Sequence, residues 1–330
     1  MTKALTSHYR PMHPIMALGI LIVTLTACAG AGSGDSMPTM SEPHDFDKLW
    51  NYGDPAATEK LFRDKLAERS DADADYRAQL VTQIARAQGL QRKFDEAHAT
   101  LDEAAKLITP KEPVAKVRLL LERGRVFNSS GSPDKAKPFF EDALKAAEAA
   151  RADFYAVDAA HMLGIVTKGD ASVRWNEKAM AMAEASSDER ARKWLGPLYN
   201  NLGWTYHDAG EFEKALDLFQ RGLKFRQAQK QEAETLIARW AVARALRSLK
   251  RGDEALAMQL ELEKAHAAKG SADGYVFDEI AECLMLLKRD AEAKPYFAKA
   301  YAELSKDEWL KANEAKRLER LAELGGVQRF

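Results

Sequence analysis

The sequence predicts an all-α protein built as a row of about six helical hairpins, with a capping helix at the C-terminal end. Three observations lead to this prediction. Stretches such as EDALKAAEAARADF (141–154) are rich in Ala, Glu and Lys, which favour helix. An alanine recurs along the chain at a nearly constant interval, and turns containing Gly, Pro or Asp separate the helical segments. The composition, 46% hydrophobic and 30% charged, is typical of a soluble protein with a core.

Small and bulky residues recur at fixed offsets from that alanine. The aligned alanines are Ala97, Ala136, Ala215, Ala255 and Ala293. Twelve positions before them stand the small residues Ala85, Gly124, Gly203, Ala243 and Ala281. Four positions after them stand Leu101, Phe140, Phe219, Gln259 and Phe297. Two helices joined by a tight turn approach closely only where both carry small side chains and bulky ones fill the flanking space, so the offsets predict one helix pair per unit.

One interval in this series is double. Ala136 and Ala215 are 79 residues apart, against 38 to 40 for the other neighbours, which predicts a further unit between them. Residues 159–186 supply it, because a Leu-Gly pair beginning at Leu163 precedes the short turn TKGDAS. The array therefore contains about six hairpins.

Residues 199–222 contain aromatic, Leu-Gly, Tyr, Gly, aromatic and Ala residues at fixed spacing: Tyr199, Leu202, Gly203, Tyr206, Gly210, Phe212, Ala215 and Phe219, with Gly222 at the last small position. This pattern resembles the tetratricopeptide repeat (TPR), which has Ala where this stretch has Gly222. The resemblance covers residues 75–304 and implies a TPR-like α-solenoid. The units here, roughly 38–43 residues long, exceed the usual length of about 34 and imply longer helices.

The ends of the array carry their own signals. Asp54 and Pro55 predict the start of a helix before the first repeat. Ser305 with Glu308 matches a capping box after the last repeat, and a Gly pair beginning at Gly325 ends that terminal helix. The predicted organisation is a signal peptide at 1–27, a lipid-anchored flexible linker at 28–44, N-terminal capping helices at 45–74, the solenoid at 75–304 and a C-terminal capping helix at 305–330.

The N-terminal residues are typical of a secretory signal. Lys3 and Arg10 precede the apolar run MALGILIVTLTA (16–27), which is shorter than the roughly 20 residues of a membrane-spanning helix. The run ends in LTAC (25–28), which resembles the lipobox of bacterial lipoproteins. In that family the signal peptide is cleaved before the Cys, so Cys28 would carry a diacylglyceryl group and an acyl chain such as palmitate. The alternative is an incidental Cys at an ordinary cleavage site.

The residue after Cys28 bears on the membrane that would hold the protein. In the lipoprotein family an Asp at that position commonly retains the protein at the inner membrane, and this chain has Ala29 there. The resemblance therefore implies a protein of the cell envelope, anchored in the outer membrane and facing the periplasm. Contact with the membrane is expected through the lipid only.

Motifs for catalysis, metal binding and nucleic-acid binding are missing from the sequence. It contains no G-x-S-x-G, H-E-x-x-H or Walker motif. No two histidines lie three or four residues apart, as a paired zinc site on one helix requires. The formal net charge of −1 does not favour a polyanion as partner. We expect no enzyme activity, no cofactor, no metal, no nucleic acid and no small-molecule substrate, and we expect Cys283 to be a buried, inert thiol.

The TPR resemblance implies that the first helix of each hairpin lines a concave groove. With the small first-helix residue counted as position eight, the family's groove positions are two, five, six, nine, twelve and thirteen. The peptide-binding groove carried over in this way consists of Arg86, Arg125, His161, Asn200, Asn201, Trp204, His207, Trp240, Arg244 and Arg247. Also at groove positions are Gln83, Glu122, Asn128, Tyr275, Asp278, Glu279 and Glu282.

Arginine at position nine and asparagine at position six suggest what the groove would hold. Arginine grips carboxylates bidentately, and Asn201 stands where family members hydrogen-bond the backbone of an extended peptide. The alternative is that these side chains are solvated surface residues, with Trp204 and Trp240 half-buried between helices.

These features predict a lipid-anchored TPR scaffold or adaptor that binds an extended or acidic segment of another cell-envelope protein for complex assembly. Two other functions stay open. The first is an enzyme with an unrecognised site in the groove, and the second is a passive oligomerisation scaffold.

Overall fold

The computed structural model describes residues 44–69 and 72–328. Within those ranges the chain is α-helical apart from turns and a short 3₁₀ helix, Asp45–Leu49, and it contains no strand. The signal peptide, Cys28 and nearly all of the linker lie outside the described residues. None of the helices in the described part of the chain combines the length and the apolar character that a membrane span requires.

The described helices form hairpins in sequence order. A leading helix, α1, is Pro55–Glu68. The hairpins are α2 (Ala74–Leu90) with α3 (Phe94–Leu107), α4 (Pro113–Ser129) with α5 (Pro133–Ala149), α6 (Asp153–Val166) with α7 (Gly169–Ala185), α9 (Leu195–Asp208) with α10 (Phe212–Ala228), α11 (Glu232–Ser248) with α12 (Gly252–Ala268), and α13 (Gly274–Leu286) with α14 (Asp290–Leu304). A short helix, α8 (Glu189–Lys193), precedes the fourth hairpin. Two short helices, α15 (Glu308–Asn313) and α16 (Ala315–Gly325), follow the last hairpin.

The chain divides into two compact units. Unit 1 ends at Leu198 and unit 2 begins at Tyr199, so the division falls inside α9. Unit 1 contains the first three hairpins. Unit 2 contains most of the fourth hairpin together with the fifth and sixth.

In the hairpins other than the third, the packing follows the offsets read from the sequence. The alanines of the second helices, Ala97, Ala136, Ala215, Ala255 and Ala293, have no exposed surface. A Cβ added at Gly124 would lie 2.5 Å from the Phe140 ring, and one at Gly203 would lie 2.5 Å from the Phe219 ring. The small residue therefore creates the space that the bulky residue four positions after each alanine fills.

The third hairpin has its helices joined more tightly than the others. Only Thr167 and Lys168 separate α6 from α7. In addition α6 ends two residues after Gly164, whereas α9 continues for five residues after Gly203. As a result Asn176, rather than an aromatic residue, lies against Gly164, and its side-chain amide leaves no room for a Cβ there. This shortening explains why the second helix of this unit does not align with the others.

The helix ends partly match the sequence signals. The Asp54 side chain accepts a hydrogen bond from the Ala57 amide at 3.0 Å, with Pro55 in the first turn, as predicted. The prediction that Ser305 caps one terminal helix is wrong. Asp307 caps α15 instead, because its carboxylate accepts hydrogen bonds from the amides of both Trp309 (2.8 Å) and Leu310 (3.3 Å).

The terminal segment is also divided, which the sequence pattern did not indicate. Glu314 has φ −127° and ψ 33° and separates α15 from α16. The helix then ends as predicted at Gly326, whose φ of 64° is in the left-handed region that glycine adopts without strain.

Burial of Cys283 is confirmed, and this burial raises the pKa of its thiol to about 12.

Candidate functional site

The side chains at groove positions lie on the first helix of each hairpin, and within each unit they touch from one first helix to the next. We call this surface the first-helix face. In unit 1 it belongs to α2, α4 and α6, and in unit 2 to α9, α11 and α13.

The face of unit 1 is crossed by a row of charged groups. Arg86 on α2 lies 3.3 Å (Nη1 to Oε1) from Glu122 on α4, which Arg125 also contacts at 2.7 Å. Arg125 then donates through Nη2 to both carboxylate oxygens of Asp158 on α6, at 2.5 and 2.6 Å. Burial opposes the charge of Arg125, but the neighbouring carboxylates of Asp158 and Glu122 raise its pKa above the ordinary value. These arginines are therefore already paired with carboxylates of the protein itself.

His161 does not lie on an open part of the face. Its side chain is 8% exposed, and its Nδ1 lies 3.1 Å from Oδ1 of Asn176 on the second helix α7. The Trp194 ring packs beside it with a centroid distance of 5.2 Å. Burial lowers the pKa of the imidazole, so the neutral side chain packs the third hairpin.

The face of unit 2 carries an aromatic row. The ring centroids of Trp204 on α9 and Trp240 on α11 are 5.9 Å apart, and those of Trp240 and Tyr275 on α13 are 6.4 Å apart. Trp240 also donates its indole N–H to the Tyr275 carbonyl oxygen at 3.1 Å. All three side chains are half-buried, so each ring packs on its neighbours and keeps part of its surface in contact with solvent.

Charged residues accompany the aromatic row. Glu279 on α13 accepts hydrogen bonds from Arg247 at 2.7 and 2.9 Å, and Arg244 Nε lies 3.2 Å from it. Arg247 also lies 3.7 Å from Glu282. Burial opposes ionisation of Glu279, but the charges and hydrogen bonds of Arg247 and Arg244 outweigh it and lower the pKa of this carboxyl.

The remaining predicted residues of unit 2 lie on α9. Asn200 and Asn201 are half-buried, and the Asn200 amide donates to the Asn201 oxygen at 3.2 Å. His207 is 8% exposed, and its Nε2 lies 2.9 Å from the Ser248 hydroxyl of α11. Arg244 donates to the same hydroxyl at 2.6 Å. His207 of α9 and Arg244 of α11 therefore share the Ser248 hydroxyl. The contact of His207 with Ser248 joins the first helices α9 and α11.

The C-terminal helix covers the end of the unit 2 face. Arg317 on α16 donates to Asp278 at 2.7 Å and lies over the Tyr275 ring at 4.9 Å. Burial raises the pKa of Asp278, and the Arg317 charge offsets part of that effect. The exposed stretch of this face is therefore the part on α9 and α11.

Several side chains of the two faces were not among the predicted groove residues, and three of them are Arg118, Ile165 and Ile237. Arg118 stands at position two of α4, and its guanidinium is almost fully buried. Ile165, at position nine of α6, is 46% exposed, and Ile237, at position two of α11, is 38% exposed. All three lie at the family's groove positions, so the alignment contained the signal.

Clusters of three or more His, Cys, Asp or Glu side chains arranged to hold a metal ion do not occur in residues 44–69 and 72–328. The unit 1 face carries paired charges, and the unit 2 face carries paired charges, amides and partly exposed rings. These groups suit non-covalent recognition of a polypeptide.

Comparison with known proteins supports the repeat. Residues 198–228, which comprise most of α9 and all of α10, match the family model of the tetratricopeptide repeat. The chain contains a TPR. No curated protein sequence matches it significantly.

Solved structures extend the TPR likeness to the fold. The signal transduction ATPase with a TPR sensor from Pyrococcus horikoshii is similar with a TM-score of 0.64 at 14% identity, over 84% of this chain and 41% of that one. The apo form of RapI gives a TM-score of 0.62 at 12% identity, over 78% of this chain and 76% of that one. BtubC (BKLC) from P. vanneervenii gives 0.54 at 15% identity, over 70% and 94%. The predicted fold class, an all-α TPR-like α-solenoid, is thereby confirmed.

Proposed function

We propose that this protein is a lipid-anchored TPR adaptor of the cell envelope, which binds an extended segment of another envelope protein along its first-helix face. The TPR fold supports a role in protein–protein interaction. The lipobox-like sequence at Cys28 supports the anchor, and Ala29 in place of an Asp supports the outer-membrane location. The linker that follows it is rich in Gly and Ser, a composition that gives a flexible tether.

The aromatic row of unit 2 is the observation that carries the proposal. Tryptophan and tyrosine with partly exposed rings are the residues that most often dominate protein–protein binding energies. Trp204 and Trp240 lie on neighbouring first helices with Asn201 on the same helix as Trp204 and the exposed Ile237 on the same helix as Trp240. An extended segment laid across α9 and α11 would meet rings, an apolar side chain and an amide that can bind its backbone.

The paired arginines narrow the chemistry of the partner. Arg86, Arg125, Arg244 and Arg247 each contact a carboxylate of the protein. An acidic ligand would have to exchange with those carboxylates. Apolar and aromatic contacts, with amide hydrogen bonds to the backbone, therefore fit the open part of the unit 2 face better than a purely acidic segment does.

Proximity crosslinking from intact cells, followed by pull-down, tests the adaptor function. We expect Trp240→Ala to remove one or more specific proteins from those captured by the wild type. Trp175→Ala is the matched control, since Trp175 is also half-buried but lies on the second helix α7. If both variants capture the same proteins as the wild type, the aromatic row is not the binding surface.

Membrane fractionation tests the anchor separately. We expect Cys28→Ser to move the protein from the membrane fraction to the soluble fraction, because the lipid would be its only membrane contact. Retention of the Cys28→Ser variant in the membrane fraction would contradict the lipobox interpretation.

A further inference from the structure

The segment that precedes α1, residues 44–53, lies on the first-helix face of unit 1. Phe46 has no exposed surface and packs with Phe62 of α1 and with Tyr76, Leu80 and Ile84 of α2. Trp50 donates its indole N–H to the Gln83 side chain at 3.1 Å. The Arg86 guanidinium lies 5.4 Å from the centre of the Tyr52 ring. The segment therefore runs along α2 from its first turn to the middle of the face.

The same segment reaches past α2 to the second hairpin. Asp47 is paired with Arg118 of α4 through both carboxylate oxygens, and Arg118 also donates to the Gln79 side chain of α2 at 2.9 Å. The Arg118 guanidinium lies 5.3 Å from the centre of the Phe46 ring. Phe46 thus fills an apolar pocket, and Asp47 pairs with a buried cation beside that pocket.

The source of the carboxylate distinguishes Arg118 from the other arginines of this face. Arg86 and Arg125 contact carboxylates on α4 and α6, which are fixed parts of the hairpins. Arg118 takes its carboxylate from a short segment that leads directly to the linker. A buried guanidinium without a counter-charge is strongly unfavourable. If the segment leaves, the site therefore requires another acidic group to replace it.

We propose that residues 44–53 are an internal peptide ligand of the unit 1 face, and that this site binds, in exchange for them, a partner peptide in which an aromatic residue is followed by an acidic one. The Phe46 pocket selects the aromatic side chain and Arg118 selects the acid. This inference rests on the proposed function, since it assigns to the TPR adaptor a second contact and the sequence class that fits it. It also makes the N-terminal segment a competitor of the partner.

The exchange can be measured with the segment's own sequence as the probe. A fluorescein-labelled peptide HDFDKLWNYG, residues 44–53, is titrated with full-length protein and followed by fluorescence anisotropy. The wild type should bind it weakly, because its own segment fills the site and only the vacant fraction of molecules can respond. Phe46→Ala/Asp47→Ala should release the segment and bind the peptide at least tenfold more tightly.

Two controls link that binding to the site. Adding Arg118→Ala to the released variant should weaken binding at least tenfold. A peptide with alanine in place of its Phe and of the following Asp should not bind any of the proteins. Asp47→Asn, which keeps the Phe46 anchor, should give an intermediate affinity and serves as a second receptor if the double variant loses its helical circular dichroism.

The outcomes separate this inference from the adaptor function. Peptide binding that depends on Arg118 supports the internal ligand even if no partner depends on Trp240. No binding to either released variant, or loss of fold in both, would show that residues 44–53 are a permanent part of the core and would overturn the inference. The Trp240→Ala capture experiment would be unaffected by that result.

Discussion

At the scale of single residues, the contact between Gly203 and Phe219 sets how closely α9 and α10 approach. A Cβ at Gly203 would lie 2.5 Å from the Phe219 ring, closer than packed atoms tolerate. We expect Gly203→Ala to lower the free energy of unfolding by about 1–3 kcal/mol, measured by urea denaturation with far-ultraviolet circular dichroism. Phe219→Leu should lower the free energy of unfolding by less in the Gly203→Ala background than in the wild type, since the first hairpin pairs Ala85 with Leu101.

The sixth hairpin qualifies that prediction. It carries Ala281 together with Phe297, both almost fully buried, so an alanine can stand opposite a phenylalanine where the helices are spaced for it. The expected cost is therefore specific to the spacing of the fourth hairpin. An unchanged or higher stability of Gly203→Ala would show that the ring moves aside easily.

Gln259 is a second residue whose position predicts an effect. It occupies the place that Phe140, Phe219 and Phe297 fill in other hairpins, it has no exposed surface, and its amide oxygen and nitrogen find no hydrogen-bond partner among the described residues. Gln259→Leu should therefore raise the free energy of unfolding by about 1–3 kcal/mol, with Gln220→Leu, an exposed position on α10, as control. A lower free energy of unfolding for Gln259→Leu would mean that the Gln259 amide is hydrogen-bonded in the folded protein.

At the scale of the helices, the turns place lysine and arginine where the backbone is left-handed. Lys250 and Lys288 follow the ends of α11 and α13 with φ of 64° and 60°, and Gly210 holds the equivalent place after α9 with φ of 79°. A side chain in this conformation costs energy that glycine avoids. We expect Lys250→Gly and Lys288→Gly each to raise the free energy of unfolding by about 0.5–1 kcal/mol. The melting temperature should rise accordingly.

A neighbouring lysine provides the control for that prediction. Lys269 also follows the last residue of a helix, α12, but its φ is −94°, so its backbone is not in the strained left-handed conformation. Lys269→Gly should therefore leave the melting temperature unchanged or lower it. If all three variants behave alike, the effect belongs to the loss of a lysine charge and not to the backbone.

At the scale of the whole molecule, the sequence pattern predicted the hairpins and their internal packing because these depend on local spacing. The alanine offsets and the Leu-Gly pairs set which residues of two consecutive helices meet. Contacts between hairpins were less predictable, since they depend on the register of helices about 40 residues apart. That register pairs Arg125 with Asp158 and Arg247 with Glu279. The groove was therefore expected to present available arginines, but it carries a row of paired charges.

The contact of Asp47 with Arg118 was the least predictable. It joins residues 71 positions apart, and the segment that carries Asp47 has no helical periodicity to show which face it covers. His161 is the opposite case. Its position matches the groove pattern, but the early end of α6 and the short turn after it bring Asn176 against it, and the side chain is buried within the hairpin.

The proposed function places a partner protein across the first helices α9 and α11 of unit 2. A photoreactive amino acid placed at single positions in living cells detects such a contact without removing a native ring. With the reactive group at the exposed Ile237 of α11, we predict an ultraviolet-dependent crosslink to one specific partner. The same group at the exposed Gln220 of the second helix α10 should give none. Equal crosslinking from both positions, or none from Ile237, would show that no partner binds specifically across α9 and α11.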